Sequence, residues 1–286
     1  MPISYASNSF SLQTQTDLSQ TTTELSKVFQ RLSSGLRIND ASDDPADLAL
    51  AAGLDSTARL ATVALRNAND GVSITSVTDS AMQEIGNVLQ RMSELAEQGA
   101  NGVYGITQIS ALSTEFVALG SEIDRIAKTT SFNNILLLSN SANIAIQVGF
   151  TSAATSQIVI QNTLGTLESL GLANPGSSAL SYSVLSTSTM DSQSAALNAL
   201  NAVTAAIGSL SERRGTLGAS ESRLNVAIQY LQTAQENFEA AESNVEDEDV
   251  AQDVASMTRL QVLQQAQAAV LAQANQQPDL VLRLLS

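Results

Sequence analysis

From Leu200 to Phe238 the chain sets Leu200, Val203, Ile207, Leu210, Arg214, Leu217, Glu221, Leu224, Ile228, Leu231, Gln235 and Phe238 at alternating spacings of three and four residues. A helix gathers such positions onto one stripe, and a stripe sustained for more than five heptads needs another long helix to cover it. The chain is therefore committed to helix-on-helix packing. Arg214 and Glu221 stand at seam positions, where they either reach a neighbouring solvated groove or fix register against a partner.

The same spacing recurs elsewhere. Leu18, Thr22, Leu25, Phe29, Leu32 and Leu36 form an N-terminal seam, interrupted by SSG at Ser33–Gly35 and by NDASDDP. Asp43 or Asp44 ahead of Pro45 reads as a cap opening a second helix to about Gln98, with Val72, Asp79, Met82, Leu89, Met92 and Ala96 on one face. After the GANGVYG turn, Ile109, Leu112, Phe116, Leu119, Ile123 and Ile126 mark a third helix folding back on the second. Between Thr129 and Met190 the period changes to two: Ile144, Ile146, Val148 and Phe150, then Ile158 and Ile160, predict a β-hairpin at about 142–161. The expected fold is mainly α, an elongated antiparallel helical bundle or coiled-coil rod with a small β-hairpin region.

Composition narrows the function. With no Trp, Cys or His and 3% aromatic residues, the core has to be aliphatic and alanine-rich, which suits closely spaced helices. Lacking histidine, the chain cannot build a Ser-His-Asp triad and loses the commonest metal ligand. A net charge of -15 repels phosphates, so nucleic acid and anionic membranes are poor partners. The N-terminus has no basic segment followed by an apolar run, and no predominantly apolar window of eighteen residues is expected. The acidic stretches NVEDEDVAQD and NDASDDPAD lack the sixth-position glycine of a calcium loop, and no phosphate-binding glycine loop occurs. No catalytic, cofactor or metal site is expected, and the chain is read as a non-enzyme.

The stretch LQVLQQAQAAVLAQANQQ, Leu260–Gln277, carries no charge in this acidic chain. Around it Val254, Met257, Leu260, Val262, Leu263, Val270 and Leu271 spread over nearly the whole helix circumference, so the helix needs cover on several sides. Seven glutamines from Gln261 to Gln277 make lipid a costly cover, because each amide left unpaired in dry hydrocarbon costs several kcal/mol. The N-terminal segment is similarly poor in charge. Two such ends can pair, yet one chain cannot cover every side of both, whereas many copies can. Self-assembly is expected to rest on Leu25, Phe29, Leu32 and Leu36 at one end and Val254, Met257, Leu263, Val270 and Leu271 at the other.

These residues resemble bacterial flagellin. RLSSGLRINDASDDPADLAL, RNANDGVS, LQRMSELAEQGANG and SEIDRIAKTTSFN are similar to the family's N-terminal region, and VEDEDVAQD with LQVLQQAQAAVLAQANQQPDLVLRLL to its C-terminal one. The resemblance covers nearly the whole chain, in a near-minimal form without large outer domains. It implies an inner coiled-coil domain from residues 1–40 and 241–286, and an outer rod domain from 41–190 and 191–240. It implies a subunit that polymerises into the flagellar filament, the propeller for swimming, outside the cell. Implied partners are further copies, the flagellar export apparatus, an export chaperone and the filament cap. Arg91, Leu95 and Glu115 match the positions at which flagellins meet the animal innate receptor. Ser93 and Glu97 stand where the family usually has arginine and valine, which weighs against recognition, and FNNILLL, Glu248 and Pro45 also depart from the family pattern. The alternatives are a hook-filament junction protein, which shares terminal helices, and a secreted helical hydrolase, for which the middle segment is short.

Ordering backbone costs about 1–2 kcal/mol per residue, more than a poorly covered helix pair recovers, so both ends of the free chain are expected to fray. Amide hydrogen exchange on dilute protein checks this, and strong protection before Ser33 and after Asp253 would contradict it.

Overall fold

The computed structural model describes residues 8–285, with side chains as far as residue 276. Five helices carry the fold: α1 Ser9–Ser34, α2 Pro45–Ala100, α3 Ile106–Thr129, α4 Thr189–Glu246 and α5 Val250–Leu285. Four short strands lie between α3 and α4: β1 Ser131–Phe132, β2 Ile135–Leu136, β3 Ile144–Gln147 and β4 Gln157–Ile160. The chain divides into two compact units, one from Met1–Ala58 with Glu236–Ser286 and one from Arg59–Gln235.

Local chemistry sets the helix ends. Asn8 Oδ1 accepts from Ser11 N to cap α1, which stops where Gly35 turns left-handed at φ 77 and donates its N–H to Arg31 O. Of the two candidate caps before Pro45, Asp44 does the work, accepting from Ala46 N and Asp47 N at 2.9 and 3.1 Å. Asp43 instead folds over the preceding loop, accepting from Asn39 N and Asp40 N and pairing with Lys27. Ser188 and Asp191 form a reciprocal box at the start of α4, and Asp249 caps α5.

In the unit Arg59–Gln235 one core joins α2, α3, α4 and the hairpin. Met82, Ile85, Leu89, Met92 and Leu95 of α2 meet Ile109, Phe116 and Ile123 of α3 and Val203, Leu210, Leu217, Leu224 and Leu231 of α4. The seam expected on α4 is half right. Its members Val203, Leu210, Leu217, Leu224 and Leu231 are buried, but the positions between them are taken by Ala199, Ala206, Ser220 and Ala234. Leu200, Ile207, Arg214, Glu221, Ile228, Gln235 and Phe238 stand half-buried at the rim. Small side chains let the helix axes approach closely, and the bulky neighbours then close over the edge. Glycines serve the same end: a Cβ on Gly71 would meet Leu224 Cδ1 at 3.1 Å and Ile146 Cγ1 at 3.2 Å. The polar seam position Arg214 forms a two-pronged ion pair with Asp79 of α2, Nε–Oδ1 2.8 Å and Nη2–Oδ2 3.0 Å, so it ties two helices of the unit together.

The expected hairpin is β3–β4, antiparallel, with Ile144 opposite Ile160 and Ile146 opposite Ile158. Ile146, Ile158 and Ile160 turn into the core. A smaller hairpin, β1–β2, is absent from the period-two pattern. It closes over Asn133 and Asn134, both at positive φ (47 and 64), the two-residue turn that asparagine tolerates without glycine.

Leu224→Ala is expected to cost about 2–5 kcal/mol because it empties a buried site, while Asp79→Ala costs about 1 kcal/mol or less because both ion-pair partners keep solvent access. Urea unfolding of the two variants checks the ranking, and a larger loss from Asp79→Ala than from Leu224→Ala would show that the ion pair, more than the aliphatic seam, holds α2 to α4.

Candidate self-assembly surface

In the unit formed by the two chain ends, α1 and α5 run antiparallel. Asn8 Nδ2 donates to Ala274 O at 2.8 Å near one end, Gln264 Nε2 to Thr22 Oγ1 at 3.2 Å along the pair, and Arg31 meets Asp253 near the other. The seam on α1 runs through Thr14, Leu18, Thr21, Leu25, Val28 and Leu32. Thr22 and Phe29, expected there, lie on the flank: the apolar stripe contains both registers, and the pair chose Thr21 and Val28. The fully buried aliphatic centre is Leu25, Val28 and Leu260, with Leu32 and Met257 against it. Beyond it the seam mixes polar groups with Leu18 and Ala274. Thr14 and Thr21 turn their hydroxyls back to Phe10 O and Asp17 O, and Gln267 Oε1 is buried without a hydrogen-bond partner.

The predicted assembly residues divide accordingly. Leu25 is buried inside the pair, and Leu32, Leu36, Met257 and Leu271 are half-buried. Phe29 is 48% exposed, and Val254, Leu263 and Val270 are each 43% exposed. Leu263 and Val270, seven residues apart, share one flank of α5, while Val254 lies on the other. Val262, one of the residues spread around α5, is also exposed, as are Phe10, Leu12 and Val250, which fall outside any regular stripe in the sequence. Covering such a side chain is worth about 1.5–3 kcal/mol, so several together offset the cost of association.

A charged node fixes the pair where α5 begins. Arg31 grips Asp253 with two bonds, Nε–Oδ2 2.9 Å and Nη2–Oδ1 2.8 Å, and Glu248 Oε2 lies 3.5 Å from the same Nε. Around it the backbone pairs like strands, with Arg37 N donating to Glu246 O at 2.6 Å and Glu248 N to Gly35 O at 3.1 Å. The bond from Arg31 holds the Asp253 carboxyl below the usual aspartate range. Burial, reinforced by the Asp253 charge, pushes the Glu248 carboxyl up, and its Oε2 has no hydrogen-bond donor.

Elsewhere, Arg91 is already engaged: Nε donates to Glu115 Oε1 and Nη1 to Glu94 Oε2, both at 2.9 Å. Leu95 is 0% exposed, sealed in the core beneath that ion pair. The expectation about apolar windows also needs correction. α2 contains an eighteen-residue window of mean hydropathy 1.3, long and apolar enough to cross a membrane, because its alanines and leucines outweigh the few charges there. Only 22% of that window is buried, and Leu50, Leu60 and Val63 on the same helix are exposed. Among the described residues no cluster of three or more acidic side chains is placed to hold a metal ion.

Comparison with known proteins gives one family. Residues 6–143 match the family model described as the bacterial flagellin N-terminal helical region, and residues 200–285 match the bacterial flagellin C-terminal helical region. A flagellin of Halalkalibacterium halodurans is 38% identical over 260 residues, 91% of each chain. A flagellin of Bacillus subtilis is 35% identical, covering 97% of this chain and 98% of that one. A solved structure from Vibrio parahaemolyticus, described as a flagellar hook-associated protein, superposes with a TM-score of 0.58 at 14% identity, over 72% of this chain and 100% of that one, a likeness of fold alone.

The charged node generates a pH dependence. Asp253, with its lowered value, contributes stability above the ordinary aspartate range that is lost as pH falls through the lowered value. Glu248 has the opposite sign: its contribution is complete below the ordinary glutamate range and is lost as pH rises through the raised value. Glu248→Gln is therefore expected to remove the loss on the alkaline side and leave the acid side unchanged. Heating curves followed by circular dichroism between about pH 2 and pH 8 check this, and parallel curves for the two proteins would exclude Glu248 as the responsible group.

Proposed function

The chain belongs to the bacterial flagellin family, and from that premise we propose that its assembly contacts are the apolar side chains left open on α1 and α5, with Phe29, Val254, Leu263 and Val270 foremost. The protein is a structural subunit that polymerises into the flagellar filament, and it is part of the bacterial flagellum. The observation that carries the proposed contacts is the partial cover of α5: one side packs on α1, and Val254, Leu263 and Val270 stay exposed, the last two in a stretch, Leu260–Gln277, that has no charge. A second copy supplies the same kind of surface. Because the exposed flanks include glutamine amides as well as aliphatic groups, a protein-lined interface satisfies both, which a lipid interior does not.

The mode of action is polymerisation and not catalysis. The position outside the cell, passage through the flagellar export apparatus, an export chaperone and a filament cap belong to the same reading, supported by kinship with flagellins. An innate receptor approaching Arg91 and Glu115 has to displace an existing ion pair, with Leu95 acting only from beneath. Neither the hook-filament junction reading nor the hydrolase reading has an observation in its favour.

Leu263→Asp puts a carboxylate where the polymer excludes water, at a cost of several kcal/mol per subunit. The variant is expected to remain monomeric and folded. Sedimentation and electron microscopy after a polymerisation trial test this, and filaments of normal appearance would place Leu263 on the solvent side and overturn the assigned surface.

A further inference from the structure

The turn between α2 and α3 contains the chain's one Asn–Gly pair, Asn101–Gly102. Both residues are exposed. Asn101 Oδ1 accepts from Val103 N at 3.4 Å, which folds the asparagine side chain over the peptide that follows it. The neighbouring amides are engaged, Asn101 N with Gln98 O at 3.1 Å and Tyr104 N with Asn101 O at 3.5 Å, whereas Gly102 N has no acceptor among the described hydrogen bonds. Gly102 N is thus uncommitted beside an amide side chain folded over the turn, with no Cβ on the glycine to obstruct an approach.

We propose that Asn101 is a site of spontaneous deamidation. Gly102 N gives up its proton to base and attacks Asn101 Cγ, forming a C–N bond. The Cγ–Nδ2 bond breaks and the side-chain nitrogen leaves as ammonia. Water then adds across one of the two ring C–N bonds, giving its hydroxyl to the carbon and a proton to the nitrogen. The products are aspartate or its β-linked isomer, and no oxidant or reductant takes part.

Other positions in the chain lack one or more of these features. Gly71, after Asp70, is buried within α2, where its N–H belongs to the helix. Asn140 is folded in the same manner, its Oδ1 accepting from Ala142 N at 3.0 Å, but the next residue is Ser141, whose side chain crowds the attack. At Asn101 the new carboxylate joins Glu94 and Glu97 around one open hollow that Gln98 and Tyr104 also line. The reaction adds a negative charge to a chain already at -15, so the acid-to-amide ratio at this turn records the age of a subunit.

Gly102→Ala is a clean probe, because Gly102 is not at positive φ and an added Cβ meets only the Gln193 amide, at 3.8 Å and beyond. The purified full-length chain is held in mildly alkaline buffer, and its peptides are mapped by mass and assayed for isoaspartate. In the unsubstituted protein Asn101 is expected to convert before any other asparagine, and Gly102→Ala to slow this by roughly an order of magnitude. Asn101→Gln, which leaves Gly102 untouched, is expected to abolish isoaspartate at this turn. Conversion of Asn140 ahead of Asn101, equal rates with and without the alanine, or an Asn101 that stays an amide throughout would each overturn the proposal.

Discussion

Two helices packed on each other bury one stripe of each and leave the rest of both surfaces to other partners. The unit built from the chain ends lives under that constraint. The aliphatic centre of its α1–α5 pair is Leu25, Val28 and Leu260, and the seam beyond it mixes threonine and glutamine with Leu18, Leu271 and Ala274. Such a pair has a defined register but a thin core. Arg31 and Asp253 supply geometry as well as energy, since the Asp253 carboxylate is buried against Arg31 and the two-pronged form admits only one alignment of α1 against α5. The apolar groups left outside, Phe29, Val254, Leu263 and Val270, are then available on a scaffold already set in register.

The unit Arg59–Gln235 solves the same problem internally. Three helices and a hairpin enclose Leu89, Phe116, Leu210 and Leu224, so the seam of α4 is covered by its own chain. Alanine and serine at the intervening positions permit close approach, and several hydroxyls inside this core bond to the preceding turn of their own helix. Thr78, for instance, is buried with its hydroxyl on Ile74 O. This unit covers its own seam, whereas the end unit leaves apolar side chains of α1 and α5 open.

Charge shapes where copies can meet. Chains of net charge -15 repel one another, and the repulsion is least where surfaces carry no charge. The stretch from Leu260 to Gln277 answers that requirement, since it has neither a like charge to repel nor an ion to desolvate. Ion pairs such as Arg31–Asp253, Arg91–Glu115 and Arg214–Asp79 lie outside it, tying elements of the same unit together.

The three-four spacing, the aspartate cap before Pro45 and the period-two run from Ile144 to Ile160 made the helices, the start of α2 and the main hairpin legible in the sequence, because each depends on neighbours close along the chain. Family kinship was legible for the same reason, in long ordered blocks of residues. Which flank of a stripe turns inward was decided by tertiary packing. Val28 over Phe29, Ala206 over Ile207 and the burial of Leu95 depend on how near another helix can come, a distance no single helix contains. The sequence by itself determined that α5 has more apolar surface than one neighbour can cover. Only the packed structure decided that Leu263 and Val270 are the part left over, because α1 can occupy just one side of it.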